Sequence, residues 1–127
     1  MGGANGDYGN SIVQTSDDGL AMTGNTASYG AGVVDMFLFK YDSNGTLVWN
    51  KTWGGTAADV GYSIVQTSDN CLAVAGYTAS YGAGSADMFL AKYNSSGIIN
   101  NCSSPMCQSP SATVTSPSAT STVVVSP

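Results

Sequence analysis

Laid over itself at an offset of about 52 residues, this chain of 127 residues matches through its first hundred positions. Ser11-Ile12-Val13-Gln14-Thr15-Ser16-Asp17 returns as Ser63-Ile64-Val65-Gln66-Thr67-Ser68-Asp69, and Asp35-Met36-Phe37-Leu38 as Asp87-Met88-Phe89-Leu90. Between them, Thr26-Ala27-Ser28-Tyr29-Gly30-Ala31-Gly32 returns as Thr78-Ala79-Ser80-Tyr81-Gly82-Ala83-Gly84. About 29 of 45 aligned positions are identical, far beyond chance, so the chain carries a tandem duplication. Each copy must solve the same folding problem, and a unit this short buries its apolar faces by stacking on a neighbour. The organisation that follows is repeat 1 over 1–53, repeat 2 over 54–107 and a tail over 108–127.

Within a repeat the pattern is that of four short strands. Ser11 to Thr15 is the first, and Asp17-Asp18-Gly19 supplies an Asp-Gly pair, the signal of a type I′ hairpin turn. The second strand is Leu20 to Thr26, followed by a Gly-rich loop that carries Tyr29. A third runs from Asp35 to Tyr41, and Asn44-Gly45 marks the next hairpin before a fourth from Thr46 to Trp53. No segment of the repeat sustains a helical period. Met36-Phe37-Leu38-Phe39 is apolar on both faces of its strand, which fits sheets that stack and not a sheet open to water. The expected class is all-β, with two four-stranded antiparallel blades.

Composition removes several functions. Charged residues are 9% of the chain against roughly 25% in an ordinary soluble domain. Its only cations are Lys40, Lys51 and Lys92, and the net charge is −5. Nucleic acid needs clustered Lys or Arg, so it is not an expected partner. Anionic lipid is excluded on the same ground, and no apolar run approaches the ~18 residues of a membrane helix. His, Arg and Glu are absent altogether. A Ser-His-Asp or Cys-His nucleophile is therefore unavailable within one chain, as are the usual His-containing zinc sites. The expectation is a non-enzyme with no cofactor and no metal. Ser, Thr, Asn and Gly supply the polarity in place of ions, which points to an extracellular or cell-surface setting. Met1-Gly2-Gly3 leads into repeat sequence with neither a basic nor an apolar leader, so an exported form has had its signal removed or the chain is a fragment.

Trp-Gly-Gly, Asp-x-Gly, Ser-Ile-Val-Gln-Thr-Ser-Asp, Gly-x-Thr, Asp-Met-Phe-Leu-x-Lys-Tyr and Asn-Gly follow one another in order, and Trp49-Asn50-Lys51-Thr52-Trp53-Gly54-Gly55 completes the set. The series resembles the bacterial and archaeal beta-propeller repeat over about residues 1–100. The resemblance implies four-stranded blades of an exported surface protein and carries no catalytic centre with it. Two departures stand out. Propellers close with about four to eight blades, and two repeats are present. Where repeat 1 has Trp49 to Trp53, repeat 2 has Asn101-Cys102-Ser103-Ser104-Pro105, so the second blade lacks its last strand or borrows one.

The candidate ligand residues are Tyr29 and Tyr81 with Asp35 and Asp87, since a ring beside a carboxylate suits stacking on a sugar and bonding its hydroxyls. Against this stands a structural role, in which each Tyr packs its own loop and each Asp, with Asp7 and Asp59, caps a turn. Trp49 and Trp53 divide in the same way between a carbohydrate platform and filler between sheets. Asn44, Asn50, Asn94 and Asn101 begin Asn-x-Ser/Thr sequons and are glycosylation candidates. Cys71, Cys102 and Cys107 are disulfide candidates: Cys102 pairs with Cys107, or Cys71 with one of them, or all stay reduced. From Gln108 the Ser/Thr/Pro-rich tail reads as a flexible, mucin-like stalk, or its segment Thr120 to Val125 adds as a strand to an open sheet edge.

Two blades leave apolar faces that one chain cannot hide. The leading functional expectation is thus an extracellular structural module that self-assembles into a ring or filament, its partners other copies of itself. The alternatives are a glycan-binding module with repeated Tyr loops, or a fragment of a larger surface propeller.

Overall fold

The computed structural model describes residues 2–99 as two antiparallel sheets without helices. Sheet I is a four-stranded meander of β1 (Asp7–Gln14), β2 (Leu20–Thr26), β3 (Asp35–Tyr41) and β4 (Leu47–Trp53). Sheet II is the three-stranded meander of β5 (Asp59–Gln66), β6 (Leu72–Thr78) and β7 (Asp87–Tyr93). The fourth segment of repeat 2, Asn101, Cys102, Cys107 and the tail all lie outside the described residues.

Strands two and three begin and end where the sequence reading places them, between the turn signals that bound them. β1 begins earlier than the Ser11 start read from the sequence, at Asp7. The reason is a bulge. Gly9 pairs with Gly24 and Ser11 with Thr23, leaving Asn10 opposite nothing, and Tyr62 takes the same position in β5. A bulge disrupts the period-two pattern, so the pairing residues before it do not read as strand.

The hairpins stand where the Asp-Gly and Asn-Gly pairs put them, but their turns are not type I′. Thr15 N–H donates to Gly19 O and Asp18 N–H to Thr15 O, and Asp18 is the left-handed residue, at φ 62°. Asn70 does the same in repeat 2 (φ 62°), followed by Cys71 where Gly19 stood, so glycine is not needed there for its backbone freedom. In the second hairpin of each repeat the left-handed residue is the glycine itself, Gly45 (φ 81°) and Gly97 (φ 78°). Both are type I turns closed by a left-handed residue, the usual three-residue hairpin loop.

Strand alternation gives each sheet two distinct faces. On sheet I, one face carries Val13, Ala21, Thr23, Met36, Leu38, Trp49 and Trp53, and the other Ile12, Leu20, Met22, Phe37 and Phe39. The first of these is the buried one. It packs on sheet II through Ile64, Leu72, Val74, Phe89, Ala91 and Tyr93, with β5 lying against β1, β2 and β3. Trp53 fills the centre, its ring 4.8 Å from that of Phe89 and 5.5 Å from that of Tyr81. Polar contacts rim this core: Asn10 Nδ2 donates to Gly61 O (2.8 Å), Asp59 N to Val34 O (2.8 Å), Ser16 N to Gln66 Oε1 (2.7 Å) and Trp49 Nε1 to Ser95 O (3.0 Å). Burial of this kind is the main stabilising term for both sheets.

Candidate functional site

The chemistry-bearing residues of each repeat gather at one end of its sheet, where the loop after the second strand returns. Asp7 opens β1 and Asp59 opens β5, and each carboxylate organises that loop. Asp7 accepts from Gly3 N (2.8 Å), from the Thr26 hydroxyl and from Ser28 Oγ (2.9 Å). Asp59 accepts from Gly55 N (2.9 Å), from the Thr78 hydroxyl and from Ser80 Oγ (2.6 Å). The threonine oxygens in turn accept from the backbone of the tyrosine loop, Tyr29 N and Tyr81 N both at 3.2 Å. The Thr26 hydroxyl, followed by the other bonds, holds the Asp7 carboxyl below the usual range.

Both tyrosines proposed as ligand groups already use their hydroxyls within the chain. Tyr29 Oη donates to Gly2 O at 3.0 Å and Tyr81 Oη to Gly54 O at 3.4 Å. Their rings differ in surroundings: Tyr81 lies against Trp53, whereas Tyr29 is more exposed and lines an open cleft.

Asp35 and Asp87 are equivalent in sequence and unlike in setting. Each closes its Gly-rich loop, Gly32 N donating to Asp35 Oδ2 (2.9 Å) and Gly84 N to Asp87 Oδ2 (3.1 Å). Gly54, in the link that leads into sheet II, lies against Asp35, which is 1% exposed with its Oδ1 lacking a hydrogen-bond partner. Asp87 is half-exposed. Burial raises the Asp35 pKa, and the nearby Asp59 carboxylate raises it further. The sign of the consequence is fixed. Between the unfolded and folded pKa values the folded state binds more protons, so stability falls as pH rises through that window. Asp35→Asn is therefore expected to stabilise the chain at pH 7 by ~1 kcal/mol, the low end of the cost of an unsatisfied buried acceptor. Thermal unfolding followed at pH 7 and pH 3.5 checks this, the gain shrinking at the lower pH.

The other polar cluster recurs at the opposite end. Lys40 Nζ meets Asp17 at 3.0 Å and Lys92 Nζ meets Asp69 at 2.8 Å, each lysine stem being buried under its hairpin. The Thr15 hydroxyl and then Lys40 hold Asp17 down to about 2. Two of the three lysines are thus committed to the fold, and composition alone does not reveal it.

Among the sequons, Asn44 and Asn50 are exposed and Asn94 is half-buried, its Oδ1 accepting from Ser96 N (3.0 Å) and Ile98 N (2.9 Å). Cys71 is buried. Among the described residues no group of three metal-ligating side chains comes together.

A cleft of about 410 Å³ lies on the outer face of sheet I. Tyr8, Met22, Phe37 and Phe39 form its apolar walls, with Tyr29 and Gly2 at one end and Asn50 and Thr52 along β4. Around it Ile12 is 61% exposed; on the opposite outer face, that of sheet II, Val65 is 52% and Met88 59% exposed. No family model matches the chain, and no curated protein is detectably similar to it.

Proposed function

We propose that this chain is a non-enzymatic structural module, its two sheets acting as propeller-type blades, which assembles with further copies outside the cell into a ring or filament. One observation carries the reading. The repeats are nearly identical, yet the junction between the sheets joins two different faces, the Met36/Leu38/Trp53 face of one and the Ile64/Val74/Phe89 face of the other. Each end of the pair then presents the face that the other end needs. Sheet II offers Val65, Met88 and Leu90, equivalent to Val13, Met36 and Leu38, and sheet I offers Ile12 and Met22, equivalent to Ile64 and Val74. One rim pair is kept, Ser68 standing for Ser16 and Gln14 for Gln66, whereas Tyr62 stands where Asn10 was. A surface complementary to a different surface on the same molecule makes head-to-tail contacts, which close into rings or extend as fibres.

An extracellular setting is supported by a surface built on Ser, Thr, Asn and Gly with few ions. The absence of chemistry is supported by the fate of the carboxylates: Asp7, Asp59 and Asp69 are bonded into turns, and Asp35 is enclosed.

Single charges test the arrangement. Ile12→Asp and Val65→Asp are each expected to reduce the assembled protein to monomers by light scattering after size exclusion. Mixing the two variants restores one good face on each partner, so pairs form and nothing larger. A wild-type chain that is monomeric at ~100 μM, or assembly that survives both charges, overturns the proposal.

A further inference from the structure

We propose that Asp35 and Asp59 form an acid-closed clasp between the two repeats, in which one proton on Asp35 Oδ1 is donated to Asp59 Oδ2. The geometry begins with the Val34–Ala58 bridge, which is parallel. Parallel pairing sets the next residue of each segment, Asp35 and Asp59, side by side, and Asp59 N donates to Val34 O at 2.8 Å. Asp35 opens β3 and Asp59 opens β5, so the pair spans the junction between the sheets. Both are enclosed, at 1% and 0% exposure. A Cβ on Gly54 would stand 2.1 Å from Asp35 Oδ1 and 2.7 Å from Asp59 Oδ2. The two oxygens therefore look onto one point, and a glycine beside it leaves that point open.

The hydrogen bonds divide the roles. Asp59 accepts from the Thr78 hydroxyl, Gly55 N and Ser80 Oγ, a set that suits a carboxylate. Asp35 Oδ2 accepts from Gly32 N, while Oδ1 is buried with no partner. A bare buried carboxylate oxygen beside a second carboxylate is costly, and a carboxylic acid there gains a donor facing an acceptor. The step takes one proton from water and leaves the pair with one negative charge in place of two. A metal ion fits less well. Calcium takes about six to eight oxygens, and no group of three metal-ligating side chains comes together among the described residues. Tyr81 faces the pair from the loop after β6, held protonated by burial and then by the two carboxylates. On β2, Thr26 stands opposite Asp35 with its hydroxyl committed to Asp7. Lys40 and Lys92 are engaged with Asp17 and Asp69 at the other end of the sheets. What the proton closes is the contact between the first Gly-rich loop and the link into sheet II, where a Cβ on Gly32 would overlap Gly55 O. With both carboxylates charged, their repulsion pushes loop and link apart.

The clasp lies within one chain, so its test does not depend on assembly. Carboxyl-carbon NMR of the isotope-labelled chain is followed against pH, together with amide hydrogen exchange. The Asp35 carboxyl is expected to titrate above the usual carboxylate range, where burial and then the Asp59 charge move it. As that proton binds, the protection of Asp59 N–H is expected to rise about tenfold, the worth of one charge-assisted hydrogen bond. Asp35→Asn carries its donor at every pH, and is expected to hold Asp59 N–H at the acid level of protection up to neutral pH. Asp59→Asn is expected to move the Asp35 titration to lower pH; where that variant unfolds, the other two measurements decide. Protection indifferent to the titration of Asp35, or no greater in Asp35→Asn than in the wild type at neutral pH, overturns the proposal. So does a saturable shift of the Asp35 carboxyl carbon by millimolar calcium chloride, which would make the pair a metal site.

Discussion

Replacing Trp53 by alanine is expected to cost ~3–5 kcal/mol, the range for truncating a large buried aromatic, and to lower Tm by ~15 °C or more. The ring is 1% exposed, ends β4, and packs into the opposite sheet against Phe89 and Tyr81. It is the largest fully buried side chain of the described residues. Nothing else can move into the space, because its neighbours Met36 and Leu38 are already seated in the same junction. Trp49→Ala is the matched control. That ring is only partly buried and its Nε1 bonds Ser95 O, so ~1 kcal/mol is expected. Urea unfolding monitored by far-UV circular dichroism measures both. Equal losses would mean that the junction is not what stabilises the pair.

Adding one methyl group at Gly76 is expected to be nearly as damaging, at ~3 kcal/mol. A Cβ there would overlap the Val60 carbonyl oxygen and press on the Phe89 ring. Gly24 meets the same pair of obstacles in repeat 1, the Tyr8 carbonyl and the Phe37 ring. In both copies the carbonyl stands two residues before the bulged Asn10 or Tyr62, and a backbone atom fixed in a sheet cannot yield as a side-chain tip can. Gly84→Ala, where the nearest atom would be 4.0 Å away, is expected to change stability by less than ~0.5 kcal/mol. Parallel thermal melts of the two variants decide whether the steric account holds.

The strands in the middle of each repeat were legible because they are apolar runs bounded by turn signals, Asp18-Gly19 and the Gly-rich loop around Leu20 to Thr26, and that loop and Asn44-Gly45 around Asp35 to Tyr41. The start of β1 was not, since Gly9 and the bulged Asn10 read as a turn until a partner strand is present. Turn position was legible and turn type was not. The pairs Asp18-Gly19 and Asn44-Gly45 look alike, but the left-handed residue is the first of one and the second of the other. The tyrosine loops were visible as a feature, whereas their hydroxyl partners come from Gly2 and Gly54, some 27 residues away. The contrast between Asp35 and Asp87 could not be read at all: it is created by the link between the sheets, whose Gly54 lies against one of them. The ion pairs Asp17–Lys40 and Asp69–Lys92 join opposite charges 23 residues apart, a separation at which the sequence shows both charges in each copy but not that they meet.

Only five residues, Gly54 to Ala58, join β4 to β5, and the last of them is pinned by the Val34–Ala58 bridge. So short a tether holds sheet II near sheet I at an effective concentration in the millimolar range, well above that of any free neighbour. The internal junction therefore forms within one chain ahead of any contact between chains. In the assembly proposed above, the unit that each copy adds is this pair of described sheets and not a single sheet.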